Sequence, residues 1–132
     1  MQKLLFWLIL AIFVFHAVAL WQLWDITHSW IDIPLHLAGG AWIALLFFYL
    51  FEERIPIFSR EAPAWARVFL AVGFAVFIES GWEVFEYLVA VLGGHFPWGD
   101  GYGATYFDSL KDIVNAFIGG LAAALSVALF RK

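Results

Sequence analysis

The sequence contains no cysteine, and only 14% of its 132 residues are charged, whereas 64% are hydrophobic. Without cysteine there is no disulfide framework and no metal site built on thiolates. Soluble domains carry about 25% charged and about 45–50% apolar residues, so the scarcity of charge excludes an ordinary soluble domain. Only seven residues are Lys or Arg. No basic stripe is present, which excludes nucleic-acid binding.

Four apolar stretches dominate the chain, at residues 4–24, 34–51, 66–92 and 108–130. Each approaches or exceeds the roughly 20 helical residues that cross the hydrocarbon core of a membrane. Prolines interrupt the connector before the third stretch, and glycines punctuate the loop before the fourth. The sequence therefore predicts one all-α domain, a bundle of four transmembrane helices. A cleavable signal peptide stays open as an alternative for the first stretch.

The cations predict an orientation for this bundle. Six of the seven flank one side of a four-span arrangement, and only Lys111 falls on the other side. Cationic loops remain in the cytoplasm, so we expect both termini and the middle loop inside, in a bacterial or archaeal cytoplasmic (inner) membrane. The six are Lys3, Arg54, Arg60, Arg67, Arg131 and Lys132.

Acidic side chains occupy the opposite half of the predicted bundle. Glu79, Glu83 and Glu86 follow the spacing i, i+4, i+7 within an apolar run, which places them on one face of the third helix. Each charge at membrane depth costs at least ~2.5 kcal/mol, so three together indicate a function. Asp108 and Asp112 lead the fourth helix with similar spacing. We expect these five carboxylates to converge in one cavity that faces the exterior.

Side chains from other positions complete the predicted site. Asp32 and His36 enter from the second helix, and Asn115 continues the polar face of the fourth. Such a cluster is neutralised either by divalent cations (Mg²⁺, Mn²⁺, Ca²⁺ or Zn²⁺) or by protons that move during transport. A hydrogen-bond network that only ties helices together is the third alternative, although isolated amides and hydroxyls usually serve that purpose.

Each candidate residue receives a predicted role. The catalytic candidates are Glu79, Glu83, Glu86, Asp108 and Asp112. The metal ligands are His36, Glu79, Glu83, Asp108 and Asp112. The substrate-binding candidates are Asp32, Trp82, Thr105, Ser109, Lys111 and Asn115. We expect no nucleotide cofactor, and no haem, because an acidic setting suits haem poorly even though His16 and His36 lie on adjacent helices.

Three separated blocks of the sequence also resemble a known family. They are His36 with the glycines that follow it, the Glu79, Trp82, Glu83 and Glu86 run, and Asp108, Lys111 and Asp112 with a trailing Gly119-Gly120. Over residues 32–125 the chain resembles the VanZ-like membrane proteins, and most of all their YjdF-like branch. Asn115 is closer to the VanZ pattern. The chain is shorter than YjdF-like proteins and resembles their C-terminal core. The resemblance implies a polytopic envelope protein with relatives linked to glycopeptide-antibiotic resistance, and it implies no defined activity.

Three functions fit these observations. The first is a metal-supported site that acts on, or binds, a phosphate-bearing lipid or envelope precursor. The second is a proton- or cation-coupled transporter or channel subunit. The third is a non-catalytic binding protein. No Ser or Cys nucleophile stands near a base, which disfavours covalent acyl chemistry. The lipid bilayer is the expected partner, and small residues at Gly119, Gly120 and 122–124 would allow a homodimer.

The predicted orientation can be tested by cysteine labelling. A single cysteine at position 28 or 100 should react with a membrane-impermeant maleimide added to intact cells, whereas a cysteine at position 60 should react only after lysis. Labelling of position 60 from outside intact cells would contradict the orientation.

Overall fold

The computed structural model describes residues 1–24, 28, 30–55, 57–58, 61–92 and 106–130, with side chains omitted for residues 90–92. These residues form four long helices: α1 (Gln2–Trp21), α2 (Asp32–Phe48), α3 (Ala64–Leu92) and α4 (Tyr106–Phe130). A π-helical turn, Tyr49–Arg54, extends α2. All four are long and apolar enough to cross a membrane, and the described residues contain no strand. The predicted all-α fold with four spanning helices is confirmed.

The helix ends differ from the predicted spans by a few residues. α1 ends at Trp21, and Leu23 beyond it takes a left-handed conformation with φ of 54°. α2 begins at Asp32, so that Pro34 lies within its first turn, where a missing N–H leaves no hydrogen bond unmade. α3 begins at Ala64, directly after Pro63, and α4 begins at Tyr106, each two residues earlier than predicted.

The second helix is the centre of the bundle. α4 packs against both α2 and α3, and more extensively against α2. α1 packs mainly on α2 and buries little of its surface, with Leu5 and Ala19 as its buried residues. Trp42 of α2 holds α1 in place, because its indole N–H donates to the Leu5 carbonyl at 2.8 Å.

Glycines bring α2 and α4 into backbone contact. A Cβ on Gly40 would lie 2.6 Å from the Cα of Ala116, and a Cβ on Gly119 would lie 2.8 Å from the carbonyl carbon of Leu37. Such close approach is typical of helix pairs in membranes, where packing replaces the hydrophobic effect as the driving force. Gly119 and Gly120, which the sequence offered for a dimer, therefore pack inside the chain.

The apolar core lies toward the other end of the bundle, away from the acidic residues. Aromatic rings fill the space between α2 and α3, with Phe47 centred 5.1 Å from Phe51 and 5.8 Å from Phe74. Small residues of α3 and α4 complete this core and allow the helices to approach. They are Ala71, Ala75 and Ala124, all fully buried. The polar and apolar halves of the bundle are thus separated along its length.

The α2–α4 contact predicts a contrast between adjacent glycines. Gly40→Ala should force the helices apart and destabilise the protein by roughly 1–3 kcal/mol, as overpacking does elsewhere. Gly39→Ala is the matched control, because a Cβ there meets nothing within 4 Å. Thermal unfolding in detergent should show a lowered midpoint only for Gly40→Ala. Equal midpoints for the two variants would contradict this packing.

Candidate functional site

His36 is the central residue of the polar cluster. It lies one turn into α2, is buried, and faces both α3 and α4. Its Nδ1–H donates to Oε1 of Glu79 on α3. That bond fixes the tilt of the ring and directs Nε2 toward the carboxylates of the other two helices. The contact joins residues 43 positions apart, so it positions α2 relative to α3.

Two aspartates lie on the Nε2 side of His36. Oδ1 of Asp32, one turn earlier on α2, is 3.8 Å from Nε2, and Oδ1 of Asp112 on α4 is also 3.8 Å away. Both separations exceed the range of a hydrogen bond. A neutral imidazole whose Nδ1 carries the proton presents a lone pair at Nε2, and a lone pair beside two carboxylates is repulsive. A proton on Nε2, or a cation between these atoms, would remove that repulsion.

Glu83 lies one turn along α3 from Glu79 and is buried. The Ser109 side chain of α4 stands next to the Glu83 carboxylate. Three buried side-chain atoms have no hydrogen-bond partner: Oε1 of Glu83, Oδ1 of Asp112 and Nδ2 of Asn115. Orphaned buried oxygens on two acidic side chains cost substantial free energy unless a cation or a proton satisfies them.

Lys111 provides the permanent positive charge of the cluster. Its Nζ donates to Oδ1 of Asp108 at 2.6 Å. The same nitrogen lies 3.7 Å from Oδ2 of Asp32 and 3.5 Å from Oδ1 of Asp112. Lys111 is partly exposed, as are Asp32 and Asp108, so these three residues form the rim of the site.

Side-chain exposure in the cluster decreases from the rim to the interior of the bundle. The side chains of Asp32 and Asp108, in the first turns of α2 and α4, are 40% and 26% exposed, whereas those of His36 and Asp112, one turn deeper, are 10% and 3% exposed. The site is therefore accessible from the end of the bundle where α2 and α4 begin, and closed below.

The remaining predicted residues lie at the edge of this cluster or outside the described residues. Glu86 is half-buried and accepts a hydrogen bond from the Trp82 side chain, which is itself exposed. Glu86 also interacts electrostatically with Glu83 and His36. Thr105 falls outside the described residues, so the structure does not place it.

Two overlapping groups of side chains could hold a metal ion. The first group is Asp32, His36 and Asp112, and the second is His36, Glu79 and Glu83. Within each group the candidate ligand atoms lie within 4.8 Å of one another. Asp32, predicted to bind substrate, enters a ligand group. Asp108, predicted as a ligand, belongs to neither group among the described residues and accepts from Lys111 instead.

A second buried charged pair lies at the opposite end of α2 and α3. Arg67 donates from Nε and a terminal nitrogen to the two carboxylate oxygens of Glu52, at 2.7 and 2.8 Å, and its guanidinium lies over the ring of Phe48. The sequence predicts Arg67 only as one of the cations that flank the spans. The π-helical turn after Phe48 keeps Glu52 within the bundle. The spacing of charges alone gave no signal for this pair.

The chain as a whole matches one family model. The match covers residues 1–132, and the family is described as "Predicted membrane protein (DUF2238)". The class of protein that the four helices define is therefore an integral membrane protein, and the chain belongs to the DUF2238 family. No curated protein matches the chain, and no solved structure matches it.

The Glu52–Arg67 pair predicts strong non-additivity in stability. Arg67→Met should destabilise by about 3–5 kcal/mol, because it leaves a carboxylate buried without its counter-charge. Adding Glu52→Gln should restore much of that loss, since the uncompensated charge is then gone. Denaturant unfolding of both variants in detergent measures the effect. An Arg67→Met variant as stable as the wild type would contradict this prediction.

Proposed function

We propose that the described cluster binds a divalent cation between α2, α3 and α4 and uses it to bind the phosphate group of a membrane lipid or lipid-linked envelope precursor. One observation carries this proposal. His36 is held by Glu79 through Nδ1, while its Nε2 faces two carboxylate oxygens at 3.8 Å without hydrogen-bonding to either.

The spacing around Nε2 fits a shared ion. Metal–ligand distances of about 2.0–2.6 Å allow two ligands of one ion to stand up to about 4–5 Å apart. The 3.8 Å separations lie within that limit. Two carboxylates and an imidazole suit Zn²⁺ or Mn²⁺, and carboxylate-rich surroundings also suit Mg²⁺ and Ca²⁺. The primary ligand group that we propose is Asp32, His36 and Asp112.

Glu79 has a supporting role in this arrangement. Metal-binding histidines commonly donate their second ring N–H to a carboxylate, which fixes the tautomer and makes the ligating nitrogen more basic. The His36–Glu79 bond has this form. The alternative group, with Glu79 and Glu83 as ligands, would have to share His36 with the first. We therefore assign Glu79 to positioning.

Charge balance supports a cation as well. Six carboxylates face Lys111 and His36, so four negative charges remain uncompensated when all six are ionised and the imidazole is protonated. The six are Asp32, Glu79, Glu83, Glu86, Asp108 and Asp112. A divalent ion would offset two of these charges, and its open side would face a bound phosphate.

The rim supplies what a phosphate group needs. Lys111 is a point charge that contacts anions, and it lies partly exposed beside the proposed ion position. Ser109 and Glu83 stand on the adjacent side. If the protein is an enzyme, Glu83 is the candidate base that takes the proton of the attacking group, a water in hydrolysis or an acceptor hydroxyl in transfer, while the lipid alcohol leaves phosphorus; a bound metal would supply Lewis acidity. Without that chemistry, the same contacts describe a lipid-binding protein.

The cellular setting follows from the same proposal. The site opens at the end of the bundle where α2 and α4 begin, and the positive-inside rule assigns that end to the exterior. We therefore infer a site facing outward from a bacterial or archaeal cytoplasmic membrane. The resemblance to VanZ-like and YjdF-like proteins agrees with a role in the cell envelope, and a link to antibiotic resistance stays part of this proposal.

Proton-coupled transport is the second candidate function. The orphaned oxygens of Glu83 and Asp112 would be satisfied equally by protons. The Glu52–Arg67 pair adds a second buried polar centre on α2 and α3, near the opposite end, as a carrier with two gates would need. Protons and metals predict opposite responses to the same substitutions.

Metal dependence should decide between these functions. Glu83→Gln and Asp112→Asn keep side-chain shape and remove one charge each. If a cation holds the site, affinity should fall about 10-fold or more for Asp112→Asn, together with the stabilisation that bound metal confers. Glu83→Gln should weaken binding through charge alone, and therefore less. Thermal unfolding in detergent, with chelator and then with Mg²⁺, Mn²⁺, Ca²⁺ or Zn²⁺, measures both.

The control for this experiment is Glu61→Gln, the same loss of charge at an exposed position between α2 and α3. It should respond to metals as the wild type does. If the wild type is indifferent to every metal, and both cluster variants are at least as stable as it, the cation proposal fails and protons take its place.

A further inference from the structure

We propose that a groove between α3 and α4 holds a hydrocarbon chain of the same lipid whose phosphate binds at the cation site. This inference rests on the proposed function and extends it from the phosphate group to the hydrocarbon chain of the lipid. The groove has a volume of about 750 Å³. Its lining is apolar and includes Val72, Gly73 and Val76 of α3, with Phe117 and Leu125 of α4.

The groove and the carboxylates share one stripe of α3. Glu79 follows Val72 by seven residues, and Glu83 follows Val76 by seven. Positions seven apart differ by only about 20° around a helix, so these side chains point in nearly the same direction. Val76 and Glu79 are separated by a rise of about 4.5 Å. The apolar stripe therefore becomes the polar site within one turn.

The groove is long enough for most of a lipid chain. Its lining runs from Ala64 to Val76 on α3 and from Phe117 to Leu129 on α4. At 1.5 Å per residue both segments are about 18 Å long. Both segments lie on the cytoplasmic side of the cluster in the predicted orientation, so a chain whose phosphate binds at the cluster would cross mid-membrane to follow the groove.

A second copy of the chain fits this groove less well. A helix segment about 18 Å long and 10 Å across occupies about 1,400 Å³, roughly twice the volume of the groove. Trp65 and Phe69 project from its end with 74% and 72% of their surfaces exposed, which narrows the approach of another helix. A flexible chain adapts to such an outline.

Gly73 makes the inference testable, because it forms an open part of the groove. A Cβ at this position meets nothing within 4 Å, so Gly73→Leu would fill the groove without disturbing the core. Gly81→Leu is the matched control, since Gly81 is equally open on the same helix and does not line the groove. Both substitutions replace an exposed helical glycine by a good helix former.

The experiment is a native mass-spectrometric titration of the purified full chain with dioleoyl phosphatidic acid, in the metal that stabilises the wild type most. We expect Gly73→Leu to weaken lipid binding about tenfold and Gly81→Leu to leave it unchanged. The metal-induced rise in unfolding temperature should be the same in both. Binding of glycerol 3-phosphate, which lacks chains, should not distinguish the variants.

Each other result has a definite meaning. If Gly73→Leu binds the lipid as well as the wild type does, the inference about the groove fails. A normal metal response in that variant would leave the proposed function intact. A wild type without any metal response would instead overturn the proposed function. If Gly73→Leu loses a dimer and keeps the lipid, the groove is a protein interface and the inference fails. If Gly73→Leu does not fold, Leu125→Trp fills the groove from the α4 side and should weaken lipid binding in the same way.

Discussion

Charge within a hydrocarbon medium needs a partner, and the placement of polar groups in this bundle follows from that constraint. The two buried polar centres meet it differently. Glu52 and Arg67 satisfy each other through two hydrogen bonds. The cluster around His36 has an excess of acid, with orphaned oxygens on Glu83 and Asp112. A self-sufficient pair ties helices together, whereas an excess of one charge requires something from outside the chain. This difference separates a structural element from a candidate site.

The close approach of α2 and α4 makes the acidic cluster possible. Gly40 lies against the backbone of Ala116, and Gly119 against that of Leu37. With the backbones this close, His36 and Asp112 are brought together one turn above the contact. A methyl group at either glycine would separate the two helices and change the distances at Nε2. Backbone packing and site geometry are therefore two consequences of the same glycines.

Much of the fold follows from the sequence, because length and hydropathy determine which segments can span a membrane. The carboxylates of α3 and α4 could be expected on facing sides, since helical spacing places each set on one stripe. Other features needed tertiary information. The preference of α4 for α2 depends on which glycines meet, and adjacent glycines such as Gly39 and Gly40 look alike in sequence. The inward position of Glu52 depends on a π-helical turn that no spacing rule predicts. The same limit applies to Asp32, whose alignment with Nε2 of His36 requires the ring orientation that Glu79 imposes.

The distribution of packing also bears on how such a site would work. A carrier must open alternately to both sides, which requires its helices to separate along the path of the substrate. Here the α2–α4 pair is joined by backbone contacts below the cluster, so separation there would break the tightest packing in the described bundle. α3 packs less extensively against α2, and it carries Glu79 and Glu83. Small movements of α3 can therefore change the hydrogen bond between Glu79 and His36 while Asp32 and Asp112 stay fixed. A rigid pair of helices that carries the proposed ligands, beside a more adjustable third helix, suits the proposed binding of a lipid phosphate better than alternating access does.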